Sequence, residues 1–218
     1  MKKIVSACAV ILAAGLFFTG CGKAEAGYHY DNKDSYTAGD FTYDEESVRS
    51  VEINWIAGNV YIDESVMPEL EVYEEAESEL SDEDKLRYKI EDKTLIIQFC
   101  ESGADISGKK KDLHVKLPIL LDRLNINVVS ADADIVSSAA DIDYDTVSGD
   151  LYMFLDQCKN LDFNSVSGDA HLLLERDLGA KVDFVSVSGE FKGEEKEADN
   201  ICEINCNTVS GDLEVGAE

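Results

Sequence analysis

Apolar residues in the second half of the chain recur at fixed distances from a serine that returns four times, as Ser148, Ser167, Ser188 and Ser210. They stand six and four residues before each serine, and three and five residues after it. A spacing of two is the period of a β-strand with one buried face. Between the position four before the serine and the valine directly before it, the phase shifts by one residue, which requires a bend or a bulge. Each repeat is therefore predicted to be a strand, a corner and a second strand.

The corner has nearly the same composition in every repeat, a serine and a glycine followed by an acidic residue. The predicted structural corners are Ser148 and Gly149, Ser167 and Gly168, Ser188 and Gly189, and Ser210 and Gly211. Glycine suits a corner because it tolerates a positive φ or the close approach of another backbone segment. Weaker copies of the pattern lie earlier, at Ser130 and at Gly58.

A repeat of about 20 residues is too short to bury its apolar face alone, but stacked repeats bury a continuous core. The sequence therefore predicts an all-β fold, a β-solenoid or β-helix-like roll, in which strands of neighbouring coils lie about 4.8 Å apart. A β-sandwich whose strands happen to be similar is the alternative. We expect the solenoid domain to span residues 45–216, with residues 74–92 forming an acidic, solvated insertion that contains some helix.

The N-terminus has the features of a targeting segment rather than of a folded element. Lys2 and Lys3 precede an uncharged apolar run that ends in Phe18-Thr19-Gly20-Cys21. The run is short for a membrane-spanning helix, which needs about 20 apolar residues. Residues 1–20 are predicted to be a lipoprotein signal peptide, with Cys21 as the lipidated residue that anchors the protein on the outer face of the membrane. Residues 21–44 are predicted to be a polar, lipid-anchored tether.

Charge narrows the possible partners. The chain of 218 residues contains 46 Asp and Glu against 19 Lys and Arg, a formal net charge of −27. Nucleic acid is therefore excluded as a partner, since its phosphates require basic residues. Adsorption of the folded part onto anionic lipid is disfavoured for the same reason. A field of this sign attracts cations instead.

Four cysteines lie in the predicted domain, Cys100, Cys158, Cys202 and Cys206. They are too few for a disulfide scaffold in a chain of this length. Buried thiols are the simpler interpretation, and a bridge between Cys158 and Cys202 in neighbouring repeats is the alternative.

The repeated corners resemble those of the bacterial putative-adhesin domain family. The segments Leu113–Pro118 and Leu124–Val128 also resemble the strands that lead into the first repeat in that family. The resemblance covers nearly the whole predicted domain. It implies a β-helical stack, and it transfers no catalytic residue. Some members are similar to envelope-stress proteins, so the resemblance also allows a sensor.

No catalytic or metal site is predicted. A serine nucleophile needs an adjacent base, yet His29 lies in the predicted tether, while His114 and His171 alternate with apolar residues and should point outward. The segment Asp141–Asp145 resembles the start of a calcium loop, but position six is Thr146 and position twelve is Tyr152, where glycine and glutamate are required.

An acidic residue follows the glycine in each repeat, and we call this set the acid ladder: Asp132, Asp150, Asp169, Glu190 and Asp212. In successive coils, neighbouring carboxylates would repel by roughly 3 kcal/mol at an effective dielectric near 20. Hydrogen bonds within the turn would relieve this repulsion, and so would bound cations, a cationic peptide or Ca²⁺. The ladder is therefore the predicted candidate for cation or peptide binding.

Together these features predict a non-enzymatic surface lipoprotein that presents an acidic solenoid for adhesion or for binding a protein, a cationic peptide or a glycan. An envelope-stress sensor that responds to cationic peptides is one alternative. A cell-wall hydrolase is another, which the scattered histidines disfavour.

Overall fold

The computed structural model describes residues 27–43, 48–65, 70–118, 121–193 and 196–217. The predicted signal peptide and the lipidation site at Cys21 lie outside the described residues. Within the described part of the chain, no helix is long and apolar enough to cross a membrane.

The described residues form sixteen β-strands and two short 3₁₀ turns. The strands of the first half are β1 (Thr37–Ala38), β2 (Phe41–Tyr43), β3 (Ser50–Ser65), β4 (Leu70–Glu75), β5 (Arg87–Glu91), β6 (Thr94–Gln98) and β7 (Asp112–Pro118). Those of the second half are β8 (Arg123–Ser137), β9 (Asp141–Thr146), β10 (Leu151–Leu155), β11 (Asn160–Ser165), β12 (Ala170–Leu174), β13 (Leu178–Ser186), β14 (Phe191–Gly193), β15 (Asn200–Thr208) and β16 (Leu213–Ala217). The 3₁₀ turns are Lys33–Ser35 and Asp82–Asp84.

The strands form two columns of stacked coils that are joined at the corners. The first column runs β1, β5, β6, β3, β8, β9, β11, β15, β13, and the second runs β2, β4, β7, β3, β8, β10, β12, β16, β14. The long strands β3 and β8 pass through the corner and belong to both columns. Among the named strands, pairing is parallel from β6 and β7 onward and antiparallel at the first end, and one isolated antiparallel bridge joins Ala180 to Lys196 near the other end. The predicted all-β, solenoid-like fold is confirmed.

The coils do not stack in chain order. The last repeat, β15 and β16, lies between the coil of β11 and β12 and the coil of β13 and β14. At the other end, β3 lies between β8 and the pair β6 and β7. The expectation that repeats follow one another as successive coils is therefore wrong for the last two. All repeats share the same apolar positions, so any coil can cover any other.

The predicted apolar rows fill the core. Leu161, Phe163 and Leu151 are fully buried, and each such side chain contributes roughly 1.5–3 kcal/mol through removal from water. The exception is the coil of β13 and β14, where Phe191 is 36% exposed. This coil ends the stack, so only one of its sides is covered by a neighbour.

The bend lies two residues later than predicted. The inward residue before each corner is the threonine or serine two positions before the motif serine, as in Thr146 and Ser165, which are buried. The valine directly before the motif serine is partly exposed, and Val187 is 64% exposed. The phase therefore changes at the motif serine, because a hydroxyl at the buried position can bond the turning backbone.

Two predicted segments differ from the structure. The tether prediction is wrong for residues 27–43, since Tyr28 is buried in the core and β1 and β2 pair with β5 and β4. Residues 74–92 contain the 3₁₀ turn Asp82–Asp84 and strand β5, where some helix was expected. The partner strand β6 supplies open backbone groups, and pairing with them favours a strand over a helix in this polar segment.

Cys158 and Cys202 form a disulfide with Cα atoms 5.0 Å apart. The thiol interpretation is therefore wrong for this pair, and the predicted alternative is the one observed. Cys100 and Cys206 are buried free thiols. Burial raises the pKa of Cys100 to about 11 and that of Cys206 to about 12, so both stay protonated at neutral pH.

Candidate binding surface

The corners are held by the hydroxyl two positions before the motif serine. The Gly149 N–H donates to Oγ1 of Thr146 (2.9 Å), and the Gly168 N–H donates to Oγ of Ser165 (2.6 Å). Ser186 and Thr208 do the same for the glycines of the last two repeats. This residue is the functional part of the corner that the sequence reasoning missed. Its signal was the constant threonine or serine at that position.

The corner glycines are required by close packing rather than by a positive φ. A Cβ on Gly168 would lie 2.0 Å from the carbonyl oxygen of Gly149, and one on Gly211 would lie 2.0 Å from that of Gly168. Gly58 alone among the described corner glycines also has a positive φ, of 111°. Of the two predicted reasons for these glycines, close approach is the one that holds for the four repeats.

The motif serines bond one coil to the next. Ser148 Oγ donates to the Val129 carbonyl oxygen (3.3 Å), and Ser167 Oγ donates to that of Val147 (3.3 Å). The Ser210 and Ser188 hydroxyls repeat this bond to Val166 and Val209. In the described part of the chain, none of these four hydroxyls has a histidine as a hydrogen-bond partner.

The acid ladder is continuous, but its order follows the stack rather than the chain: Asp132, Asp150, Asp169, Asp212, Glu190. In each step a carboxylate oxygen accepts the backbone N–H of the next acid, as when Asp150 Oδ1 accepts from Asp169 N–H (3.0 Å). The same bond joins Asn59 N–H to Asp112 Oδ1 (2.8 Å). One oxygen of each bonded aspartate is thus used to hold coils together, and this charge–dipole contact offsets part of the repulsion between neighbours.

The outward face of the first column carries rows of amides and carboxylates. Asn164 Nδ2 donates to Asp145 Oδ1 (2.9 Å), and Asn207 Nδ2 donates to Asn164 Oδ1 (3.2 Å). Asp141, Asp143 and Asp145 belong to this face of β9. Among the described residues no group of three or more His, Cys, Asp or Glu side chains could hold a metal ion. Calcium binding at the ladder stays an untested prediction.

The outward face of the second column carries stacked aromatic rings. His114 lies between Tyr73 and Tyr61, with ring centroids 4.6 and 4.8 Å away. Tyr152 stacks on His171 at 4.8 Å. Both histidines therefore lie on the outward face, where His171 Nδ1 lies 3.2 Å from Glu214 Oε2. The sequence reasoning missed this row, although Tyr61 and Tyr152 share a place four residues after the corner serine position.

The fold and its corners define a repeat scaffold of stacked β-coils. The sequence profile of the Toastrack DUF4097 family matches residues 32–215, and the chain belongs to this family. The resemblance inferred from the corner motif is confirmed.

Among solved structures, the chain is similar to a putative cell adhesion protein from Clostridium sporogenes, with 12% identity and a TM-score of 0.58 over 84% of this chain and 100% of that one. A putative adhesin from Bacteroides fragilis aligns with 13% identity and a TM-score of 0.36 over 82% of this chain and 97% of that one. No curated protein matches the chain.

Proposed function

We propose that the protein is a non-enzymatic lipoprotein of the bacterial envelope that displays an acidic β-solenoid and binds cationic protein or peptide partners. The observation that carries the proposal is the chain's net charge of −27, together with a stack whose recurring polar groups are already used in bonds within and between coils. Because the corner groups hold the coils together, they form the scaffold, and the outward-facing side chains of the strands remain available to bind a partner.

Electrostatics supports a cationic partner. The second oxygen of each ladder aspartate does not take part in the bond to the next coil, and Lys192 Nζ lies 3.6 Å from Oδ2 of Asp212. The lysine shows how a cation approaches the ladder from solvent. The Asp132 end of the ladder borders a cleft of ≈ 490 Å³ that Glu75, Glu77 and Asp112 line together with Lys110 and Lys111. The cleft itself is thus of mixed charge, and it is the acidic excess of the whole chain that steers basic partners and repels acidic ones.

The binding proposal is tested by titrating the full-length protein, held in neutral detergent micelles, with a labelled lysine-rich peptide at several salt concentrations. We expect affinity to fall steeply as salt rises, since exposed charges are screened over about 10 Å at 0.1 M. The triple variant Asp150→Asn, Asp169→Asn, Asp212→Asn keeps an oxygen acceptor for each corner bond and should bind more weakly. Absence of binding at low salt, or binding that ignores salt, would contradict the proposal.

The anchoring proposal has a separate test. Cys21→Ala should release the protein from the membrane fraction or leave it as precursor, because the thioether-linked lipid cannot form without the thiol. Phase partitioning in detergent gives the readout. Wild-type protein found in the aqueous phase would contradict the lipid anchor and leave the binding proposal intact.

A further inference from the structure

A slot interrupts the stacked rings on the outward face of the second column. In the strand register, Tyr61 of β3 is the neighbour of Asp134 in β8, and Asp134 is the neighbour of Tyr152 in β10. Two strand spacings therefore separate the tyrosines, about 9.6 Å. The shorter aspartate between them leaves the outer halves of the two rings facing each other across open space.

A histidine stacks on each tyrosine ring, on the face turned away from the slot, and fixes the orientation of that ring. Tyr61 stacks on His114 with an interplanar angle of 20°, and Tyr152 stacks on His171 with an angle of 8°. Each ring thus stands parallel to its neighbour along the column, and its other face is turned toward Asp134. Tyr152 is 51% exposed, and Asp134 is also exposed. The slot is therefore preformed and open to solvent.

The floor of the slot is an unused carboxylate. No described residue donates a hydrogen bond to Asp134 or pairs with it, and no described lysine or arginine lies over the ring of Tyr61 or Tyr152. The neighbouring outward positions add the carboxylates of Asp63 in β3, Asp132 in β8 and Asp150 just before β10, while the nearest base in register is Lys116 of β7, beside Asp63. The patch is therefore net negative.

Two facing aromatic rings and a carboxylate are complementary to an ammonium group. A cation at the centre of the slot would lie about 4.8 Å from each ring, within the roughly 6 Å over which a cation and an aromatic face attract. A ring would also fit a gap of this width, as His114 does between Tyr73 and Tyr61, so the preference for an ammonium comes from the carboxylate of Asp134. The carboxylate accepts hydrogen bonds, which a primary ammonium can donate and a quaternary one cannot.

We propose that Tyr61, Asp134 and Tyr152 form a binding slot for the ammonium group of a lysine side chain presented by a basic peptide or protein partner. The inference rests on the proposed function and gives it a specific site, distinct from the acid ladder. The ladder residues Asp132 and Asp150 lie two positions along the same strands, about 6.6 Å away, where they can meet a second basic residue of the same partner.

The test measures binding of a labelled, blocked peptide of alternating alanine and lysine to the full-length protein in neutral detergent micelles. Asp134→Asn, and separately the pair Tyr61→Leu and Tyr152→Leu, should each weaken binding by roughly tenfold. Asp183→Asn removes one exposed charge from the other column, and Tyr73→Leu removes a stacked ring that does not face the slot. These matched controls should change affinity by less than about twofold. Emission from the buried Trp55 verifies that each variant is folded.

Three results separate the possibilities. If Asp134→Asn and Asp183→Asn weaken binding equally, the partner responds to the general field, which overturns the slot and leaves the proposed function standing. If a peptide with trimethylated lysines binds as tightly as the unmodified one, the assignment to a lysine ammonium is wrong. If wild-type protein does not bind the peptide even at low salt, the proposed function fails and the slot fails with it.

Discussion

The repeats from β8 onward and the part of the chain before them reach the same coil geometry by different means. In the four repeats that follow β8, each corner uses the same set of bonds: a hydroxyl accepts from the glycine N–H, the motif serine donates to a neighbouring coil, and the acidic residue takes part in the ladder. In the first part, the corner at Gly58 keeps the acid-to-backbone bond, from Asn59 N–H to Asp112, and adds contacts that occur once. Trp55 Nε1 donates to the Lys111 carbonyl oxygen (2.9 Å), and the Lys111 side chain lies over the rings of Trp55 and Phe99.

The difference shows how an array of repeats is ended. A coil inside the stack is covered on both sides, so identical small groups suffice. The first end must close an open sheet edge, and it does so with the antiparallel strands β1, β2, β4 and β5. The buried ion pair of Lys111 and Glu74 fixes the position of β4 against that end. The repeats should therefore be sensitive to backbone crowding, and the first part to loss of individual side chains.

The strongest test of the repeat half is Gly168→Ala. The new methyl carbon would lie 2.0 Å from the Gly149 carbonyl oxygen. The carbonyl oxygen of Gly168 itself packs closely against Gly211 in the next coil, so a shift at Gly168 would also disturb that corner. We expect a loss of about 4 kcal/mol or more in the free energy of unfolding, because the coils must separate to admit the side chain. Urea unfolding followed by circular dichroism measures it. Ser167→Ala is the matched control and should cost about 1 kcal/mol, for one hydrogen bond. Equal losses in the two variants would contradict the close-approach explanation.

The corresponding test of the first part is Lys111→Met. Burial raises the pKa of Glu74 and lowers that of Lys111, so each group depends on the other to stay charged. Removal of the ammonium alone should cost about 3–5 kcal/mol, because the Glu74 carboxylate stays buried without a partner.

The double variant Glu74→Gln, Lys111→Met is the control for this pair. Its amide oxygen can still accept the Leu86 N–H, which now lies 2.8 Å from Glu74 Oε1. We expect it to recover most of the loss in the same urea experiment. A double variant as unstable as Lys111→Met would show that packing around Trp55, rather than the charge, is what the lysine supplies.

The third prediction concerns the disulfide, which joins two coils of the repeat half. The bridge connects Cys158, beside β11, directly to Cys202 in β15 and spans a sequence separation of 44 residues. It thus ties together the two coils whose adjacency departs from chain order. Cys158→Ala with Cys202→Ala should cost about 2–4 kcal/mol, chiefly through the freedom that the unfolded chain regains.

Reducing agent gives the same measurement without mutation. The free energy of unfolding of the wild-type protein should fall when a thiol reductant is added, whereas that of the double alanine variant should not change. Cys206→Ala, at a buried free thiol, controls for the loss of a buried sulfur. Wild-type stability that is identical with and without reductant would contradict a stabilising bridge.

The sequence predicts the coils well and their order poorly, for one physical reason. The period-two rows around Ser148 and Ser167 fix which face is buried, so strand, corner and core follow from the pattern. The same rows are nearly identical in every repeat, so they do not distinguish one neighbour from another. Only the pair Cys158 and Cys202 carried information about which coils touch. Tyr28 was missed because the few tyrosines of this stretch, Tyr28, Tyr30 and Tyr36, are scattered among polar residues that predict a tether.

The candidate surface was predictable in part. The acid ladder follows from the alignment of the repeats, but its bonds to the next coil's backbone depend on coil spacing, which no single repeat encodes. Tyr61 and Tyr152 share a position after the corner, yet Asp134 stands there in the strand between them. The slot therefore arises where Asp134 interrupts the aromatic row, and it becomes visible only when the stacking order is known.

The prediction with the smallest expected effect concerns the outward row of the first column, where Asp145 interrupts a series of asparagines. Its neighbours across the strands are Asn127 and Asn164. Burial raises the pKa of Asp145, and the carboxylates of Asp143 and Asp162 add to this, while the amide of Asn164 partly opposes it. The charged form is thus less favourable in the folded protein than in the unfolded chain. Stability is consequently lost as pH rises through the interval between the ordinary and the raised pKa.

Asp145→Asn removes this penalty and supplies an amide that can donate to Asn127. At pH 7 the variant should be more stable than wild type by up to about 0.5 kcal/mol, the range of most surface changes. The advantage should shrink as pH falls toward the ordinary pKa of an aspartate, because wild-type Asp145 then takes up a proton in the folded state. Thermal unfolding of both proteins between pH 7 and pH 4 measures the difference in stability at each pH. The titration of other groups affects both proteins alike and therefore cancels in this difference. Asp141→Asn, at an exposed carboxyl of the same strand, is the control. A difference that stays constant over this range would show that the amide bond, rather than the relief of a buried charge, stabilises the variant.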